Sequence, residues 1–538
     1  MLTYYYPNYM CNLLQMISLK EKSKKIHFIV LYLFLFFFAV YLITSSHSTV
    51  NNTDASNARY QVTKSIVEKY DLSIPKGMGV EGIDGRDYSW FGLGSSALSI
   101  PFYVIGKLID TPENAVSIMN LLIGSATTVL IFLFSAALGY SYRASMLVSI
   151  FYGLGTFAWP LTKQPFDHTV ETFFVLFSAY LMYLYTIHRH KHYLFFSAFC
   201  LGFAFITRLT SILVLPPLFI ILMSAHAIQR EGYKRIFIKT AIDMFLFLLV
   251  FSPFLWLNCW YNYYRFGSIF ETGYSLIAMK TGLDFFSGTP LLTGLSGLLI
   301  SPGKGFFYYS PVAILSLFSF RSFMKKHCAL SFAFLLIIIS YLLFLSKNIY
   351  WHGDSAWGPR YLLVLTPFFL IPIAELLNST QWRKKRLMRI TLCSIFFVSL
   401  IIQLIAITAY FHIYFFHLAY EEDVKFSVLS GKGVPTLSEP PPEVYFDWRY
   451  SPILKQLFII REIAKRMTVY SYVEPPEDAS IYDKSKSFPS YNAFDFWWIY
   501  RYFIEGSSSG FIIALMLLLI SIYSAVKLRN AVTAYEDR

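Results

Sequence analysis

Residues 20–44 read KEKSKKIHFIVLYLFLFFFAVYLIT: four lysines in six positions, then a run from 26 to 44 with no acidic residue and no lysine or arginine. A hydrocarbon core about 30 Å thick is crossed by about 20 apolar helical residues, so this run is long enough to span it. Its basic flank resembles that of a signal peptide. The apolar stretch is longer than a signal sequence needs and lacks a clear small-residue cleavage site, so it reads as an uncleaved anchor entered from a basic side.

Outward from this segment the same pattern recurs, predicting further spans near 113–139, 143–159, 167–186, 192–207, 209–225, 236–257, 306–320, 327–346, 359–378, 387–412 and 509–527. The expected fold is therefore an all-α polytopic membrane protein with about 12 transmembrane helices. Composition agrees. Of 538 residues, 56% are hydrophobic and 19% aromatic but only 14% charged, against about 25% charged in soluble domains. A mean hydropathy of +0.50 excludes a soluble enzyme. The excess of Phe and Tyr over Asp and Glu excludes a disordered acidic scaffold.

The net charge of +13 is divided among short clusters between apolar runs, so nucleic acid is not an expected partner. The clusters are topology signals. With the N-terminus inside, the inner loops hold Arg143; Arg189 and Lys191; Arg230, Lys234 and Arg235; Arg321, Lys325 and Lys326; RKKR at 383–386 with Arg389; and Lys527 with Arg529. The opposite face receives the long segments 45–112, 258–305, 347–358 and 413–508. Function is expected there. Residues 1–412 read as the transmembrane module with its first outer loop at 45–112, 413–508 as an outer loop or small cap domain, and 509–538 as a last helix with a cytoplasmic tail. The five cysteines, Cys11, Cys200, Cys259, Cys328 and Cys393, stand singly without metal or disulfide spacing.

The unusual polar residues fall in five outer stretches. NNTDASNARYQVTKSIVE begins at 51 and places Asp54 just ahead of an amphipathic helix expected from about 56 to 69. Its carboxylate can take a proton from an acceptor hydroxyl; the alternative is that Asp54 or Ser56 caps the helix. DGRDYSWFGLGSSALSIPFY, 84–103, opens with an Asp84-Gly85 turn and continues into an interfacial or re-entrant helix. FAWPLTKQPFDHTVETFF, 157–174, carries Lys163, Asp167, His168 and Glu171, with Asp167 and Glu171 spaced to share a helix face. There Asp167 can orient a substrate and Lys163 neutralise a phosphate, unless the former is an N-cap and the latter snorkels to the interface.

GLLISPGKGFFYYSP, 297–311, sets Lys304 among glycines before an aromatic helix, as an anion-binding turn or a simple loop-to-helix joint. The GxxxxGK[ST] spacing of a Walker loop is absent. YWHGDSAWGPRYL, 350–362, crowds Trp351, His352, Asp354, Trp357 and Arg360 between two apolar runs. Aromatic faces there can pack on sugar rings and Arg360 can grip a phosphate; an interfacial aromatic belt is the alternative.

Four of these stretches, 52–68, 84–103, 297–311 and 350–362, in this order on one expected face, resemble the bacterial branch of the GT-C superfamily, lipid carrier-dependent glycosyltransferases related to protein O-mannosyltransferases and aminoarabinose transferases. The resemblance implies a GT-C-like bundle with large extracytoplasmic loops, in a bacterial inner membrane with its site on the periplasmic or equivalent face. It implies transfer of a sugar, hexosyl or pentosyl, from a polyprenyl-monophosphate donor to an outer glycan, lipid or protein. Asp54 occupies the position of the first-loop acidic residue and Asp167 that of the second. Relatives often carry YSKYG where this chain has Tyr88-Ser89-Trp90-Phe91-Gly92, so a donor-binding lysine is missing. Arg360 and Lys304 are the first candidates to replace it, then Lys163 and Arg208. Tyr60, Tyr88, Trp351, His352, Asp354 and Trp357 are candidate sugar or acceptor contacts. No cofactor and no obligatory metal are expected. The competing readings are a lipid-linked saccharide transporter or flippase and a noncatalytic scaffold.

Overall fold

The computed structural model describes residues 26–46, 54–227, 233–281, 288–353, 356–420, 441–468, 492–503 and 505–536. Nine helices among them are long and apolar enough to cross a membrane: Ile26–Ile43 (α1), Pro112–Ala137, Asp167–His188, Leu209–His226, Lys234–Phe266, Cys328–Ser346, Arg360–Asn378, Arg386–Thr408 and Ser509–Thr533. Three expected spans are shorter or broken. The one expected at 143–159 is a helix only over Tyr142–Gly155, about 21 Å at 1.5 Å per residue; a new turn, Ala158–Thr162, follows it with Pro160 near its start. Lys191–Thr207 has 17 residues. The span expected at 306–320 divides into Phe306–Tyr309, a 3-10 turn Pro311–Ile314 and the helix Leu315–Lys326, because Pro311 has no N–H to continue the first piece.

Which ends lie together follows from long-range contacts. The Asp243 carboxylate is reached by the Tyr185 hydroxyl and Lys191 ammonium, and by His226 Nε2 at 2.9 Å. At the same end Lys326 pairs with Glu375 at 3.0 Å and Asn378 accepts the Ser141 amide. At the other end, Arg59 and Arg208 meet Asp167, the Trp159 indole donates to Thr44, the Phe157 amide to Ser310, and Lys163 to the Ile407 carbonyl. Each shorter passage therefore still joins the two ends, so the described residues agree with the about twelve crossings read from the sequence. Arg143, Arg189, Lys191, Lys325 and Lys326 gather at the first end, as the charge pattern predicts.

The end away from those basic loops carries the connecting structure. Helix α2, Asp54–Lys69, starts two residues before the expected position. Behind it lie three two-residue antiparallel strands, β1 (Ser73–Ile74), β2 (Val80–Glu81) and β3 (Asp87–Tyr88), in the order β1-β3-β2. Asp84-Gly85 makes the expected turn between β2 and β3, with Gly85 at φ +77°. So small a sheet is marginal alone; Tyr88, fully buried, anchors it against Ala58, Val62, Tyr261 and Phe266. Helix α3, Leu93–Leu108, returns toward the membrane.

Gly94 lets α3 dock on the end of Lys191–Thr207, since a Cβ there meets the backbone and side chain of Thr207 inside any normal contact distance. Gly94→Val is expected to cost about 1–3 kcal/mol, as overpacked sites do. A lowered melting temperature in detergent checks it.

The described pieces of 413–508 lie on the bundle. Val444, Tyr445, Ile459 and Ile463 join the main apolar core. The indoles of Trp497 and Trp498 donate to Leu42 and Ile43 carbonyls, satisfying acceptors that the last turn of α1 leaves open.

Candidate functional site

Four separate segments converge at the end away from the basic loops. The first is α2. Its Ala58 and Val62 pack toward the small sheet, while the Arg59 carbonyl accepts from Thr63 and Ser96 hydroxyls. This fixes the helix so that the Arg59 guanidinium, stacked 4.2 Å over the Phe91 ring, reaches Asp167 Oδ2 at 2.9 Å. Burial pushes the Arg59 guanidinium down from its usual value, and Asp167 opposes that shift.

Asp167 is the first residue of its helix, and Phe166 holds the cap position without a side-chain bond. The carboxylate goes to cations instead. Besides Arg59 it meets Arg208 Nη1 at 3.3 Å, with His168 Nδ1 at 3.0 Å. The positive end of the helix adds favourable field at this place. One turn on, Glu171 accepts Arg208 Nε at 3.1 Å and the hydroxyls of Thr210, Ser211 and Tyr341 at 3.0–3.1 Å. The predicted shared face is thus bridged by a single guanidinium. Burial works against the charge of Arg208, but Asp167 and Glu171 together hold it above its usual value.

The fourth segment brings Arg360, placed 4.9 Å over Phe166 and 5.1 Å over Tyr361, whose hydroxyl it meets at 3.4 Å. Tyr361 also faces Arg208 at 5.4 Å and His168 at 5.3 Å. Nearby Tyr274 has its phenol pushed up to about 12 by burial, so it stays a neutral hydroxyl at physiological pH. The result is a water-poor cluster of three guanidiniums and two carboxylates, suited to stabilise charge developing on a phosphate and to orient a nucleophile.

Other expected site residues lie elsewhere. Lys163 donates to the Ile407 carbonyl at 2.8 Å and to the carbonyl and Oδ2 of Asp495 at 2.8 and 3.1 Å. Burial pushes its ammonium down, against the pull of Asp495. Lys304 donates to the Ala356 carbonyl at 2.7 Å and lies between the Phe411 and Tyr445 rings. His352 stacks on Tyr445 at 4.7 Å; Trp351 packs edge-on to the same ring. Trp357 stands edge-on to Tyr309 and Phe411. Tyr60 packs on Tyr103, its phenol pushed up to about 12 by burial and the acidic groups nearby, and Tyr88 donates to Asp84. The Asp54 side chain and Asp354 lie outside the described residues; the Asp54 backbone begins α2.

Sequence reasoning did not single out Arg59 or Tyr361. Both stood inside quoted stretches, but their partners come from remote segments.

The family model "Dolichyl-phosphate-mannose-protein mannosyltransferase" matches residues 102–257, in agreement with the resemblance read from the sequence. No curated protein sequence matches the chain. Among solved structures the chain is similar to ArnT from Cupriavidus metallidurans in the apo state, at 10% identity and TM-score 0.44 over 95% of this chain and 78% of that one. It is similar to the same protein bound to undecaprenyl phosphate, at 14% identity and TM-score 0.43 over 93% and 77%. Archaeal oligosaccharyltransferase AglB from Archaeoglobus fulgidus is similar at 10% identity and TM-score 0.43 over 78% and 60%.

Proposed function

We propose that this chain is an integral-membrane glycosyltransferase that moves a sugar from a polyprenyl-monophosphate donor to an extracytoplasmic acceptor. The observation that carries the reading is the convergence of Arg59 and Arg208 on Asp167, with Arg360 beside them over Phe166 and Tyr361, at one end of a membrane bundle. A family match to dolichyl-phosphate-mannose-dependent transferases over 102–257 supports it. The basic loops lie at the other end, which supports reading the cluster's end as the outer one, periplasmic in a bacterial inner membrane.

In this reading the donor's tail lies among the helices and its sugar phosphate meets the guanidiniums. The acceptor oxygen attacks the anomeric carbon, the carbon–phosphate oxygen bond breaks, and the lipid monophosphate leaves with inversion at the sugar. Asp54 takes the acceptor proton. Asp167, whose oxygens already serve two guanidiniums, positions them and the acceptor.

Cells lacking the protein are expected to accumulate one polyprenyl-monophosphate sugar, cleared by wild type and not by an equally abundant Asp54→Asn variant; mass spectrometry of the lipid pool reads it. Unchanged pools would point to transport or scaffolding. In the purified protein, Arg360→Ala is expected to weaken binding of a polyprenyl phosphate about 10–100-fold, the ~1.5–3 kcal/mol of a hydrogen bond to a charged group. Arg360→Lys should recover only part, because an ammonium cannot reproduce the planar fork. Titration of intrinsic tryptophan fluorescence is the measurement, and unchanged affinity in the alanine variant would remove Arg360 from the donor site.

A further inference from the structure

A second opening lies on the far side of Lys163. A cavity of about 450 Å³ is walled by α1, by Pro112–Ala137 and by the final helix, below the short helix Trp497–Phe503. Its lining changes with depth. On Pro112–Ala137 the wall residues run Asn114, Ser117, Ile118, Leu121, from polar to apolar over about 10 Å of helix. Leu42 and Ile513 complete the apolar floor, and Ser45, Arg501 and Glu505 the upper rim. This gradient, built by helices long and apolar enough to cross a membrane, matches an amphiphile lying upright in a bilayer.

The charges at the rim are already spent. Arg501 pairs with Glu505 at 3.1 Å, and the three N–H bonds of Lys163 go to Ile407 and Asp495. A phosphomonoester would compete for both. Hydroxyl groups find better partners: the lining residues Ser45 and Ser117 donate their protons to backbone carbonyls, which leaves their oxygens able to accept.

Ser46 and Lys163 line this cavity too, and there Ser46 donates to Asp495 Oδ2 at 2.5 Å, beside Lys163. Beyond that bridge is a void of about 10 Å³, room for a single water, lined by Trp357. The Trp357 indole N–H is buried and has no hydrogen-bond partner among the described residues. Trp357 in turn precedes Arg360 by one helical turn's length of chain, and Ser46 precedes Asp54 by eight residues.

We propose that this cavity admits the acceptor, and that the acceptor is a membrane lipid with a hydroxyl-bearing head, entering sideways between α1 and the final helix. This rests on the transferase reading. The donor phosphate and the acceptor then approach the Asp54 region from opposite sides of the Lys163–Asp495 bridge.

The test uses full-length protein in its own membranes with a photoreactive benzoylphenylalanine at Asn114 or Ser117. Phe318, 72% exposed on an outward face of the bundle, carries the same probe as reference. Illumination is expected to give a lipid adduct whose mass includes a hydroxyl-bearing head, enriched at least fivefold over the adducts at Phe318. A protein adduct, no adduct, or the bulk phospholipid pattern of Phe318 each overturns the proposal. Ser117→Trp, which fills the cavity, is expected to lower transfer of labelled sugar from the polyprenyl-phosphate donor to a second lipid, resolved from the donor by chromatography, at least tenfold while binding of a polyprenyl phosphate stays within twofold. Wild-type transfer by Ser117→Trp would sink the lipid site and leave the transferase standing. An enriched lipid adduct in a wild type that transfers no sugar would sink the transferase and leave a lipid site of other purpose.

Discussion

Asp167→Asn is expected to reduce sugar transfer at least 100-fold and to lower the melting temperature of the purified protein. The two effects share one cause. Asp167 is about 2% exposed and its carboxylate neutralises Arg59 and Arg208 at 2.9 and 3.3 Å. An amide keeps the shape and removes the charge, leaving two buried guanidiniums with one carboxylate, Glu171, between them. Breaking a buried pair from one side costs about 3–5 kcal/mol. That cost divides between folding stability and the geometry of the cluster, so both readouts move. A double-mutant cycle separates this account from a loose steric one. With Arg59→Ala also present, the amide at 167 no longer leaves that charge unmatched. The combined loss of stability should then be smaller than the sum of the single losses by about 0.5–3 kcal/mol. Strict additivity would mean that the contact carries no coupling, and the cluster would lose its claim to act as a unit.

Most of the fold was legible because the bilayer imposes two simple demands, length and apolarity, and residues 26–44 meet both without reference to any other part of the chain. Loop charge added an independent order, and the contacts of Asp243, Lys326 and Asn378 at one end agree with it. Tyr142–Gly155 and the broken passage from Phe306 to Lys326 were read as ordinary spans, since neighbours that shelter a short or interrupted helix leave no local mark. The site shows the same division. Asp167 and Glu171 declared a shared face by their spacing, and one guanidinium does bridge them. Arg59 could not be read, because its role exists only once α2 lies against the helix that starts at Asp167. Lys304, Trp351 and His352 looked like a phosphate and sugar site, and the structure brings all three against Tyr445. That ring comes from a segment whose prolines and tyrosines carry no periodic signal.

The contrast between the two aspartates gives the sharper result. Asp54→Asn is expected to lower kcat by about 100- to 10,000-fold, the range for loss of a general base, with a melting temperature close to that of wild type. Asp54 begins α2, five residues and about 7.5 Å of helix rise before Arg59. A group that only accepts a proton in the transition state is missed in kcat and kcat/KM equally, and hardly in binding. Affinity for a polyprenyl phosphate should therefore be unchanged in Asp54→Asn, whereas in Asp167→Asn it should fall as the guanidiniums lose their anchor. Measured side by side, the pair assigns chemistry to one residue and positioning to the other. If Asp54→Asn instead melts early and loses donor affinity while its kcat is preserved, the first aspartate is the scaffold. The proton must then leave through another group of the cluster.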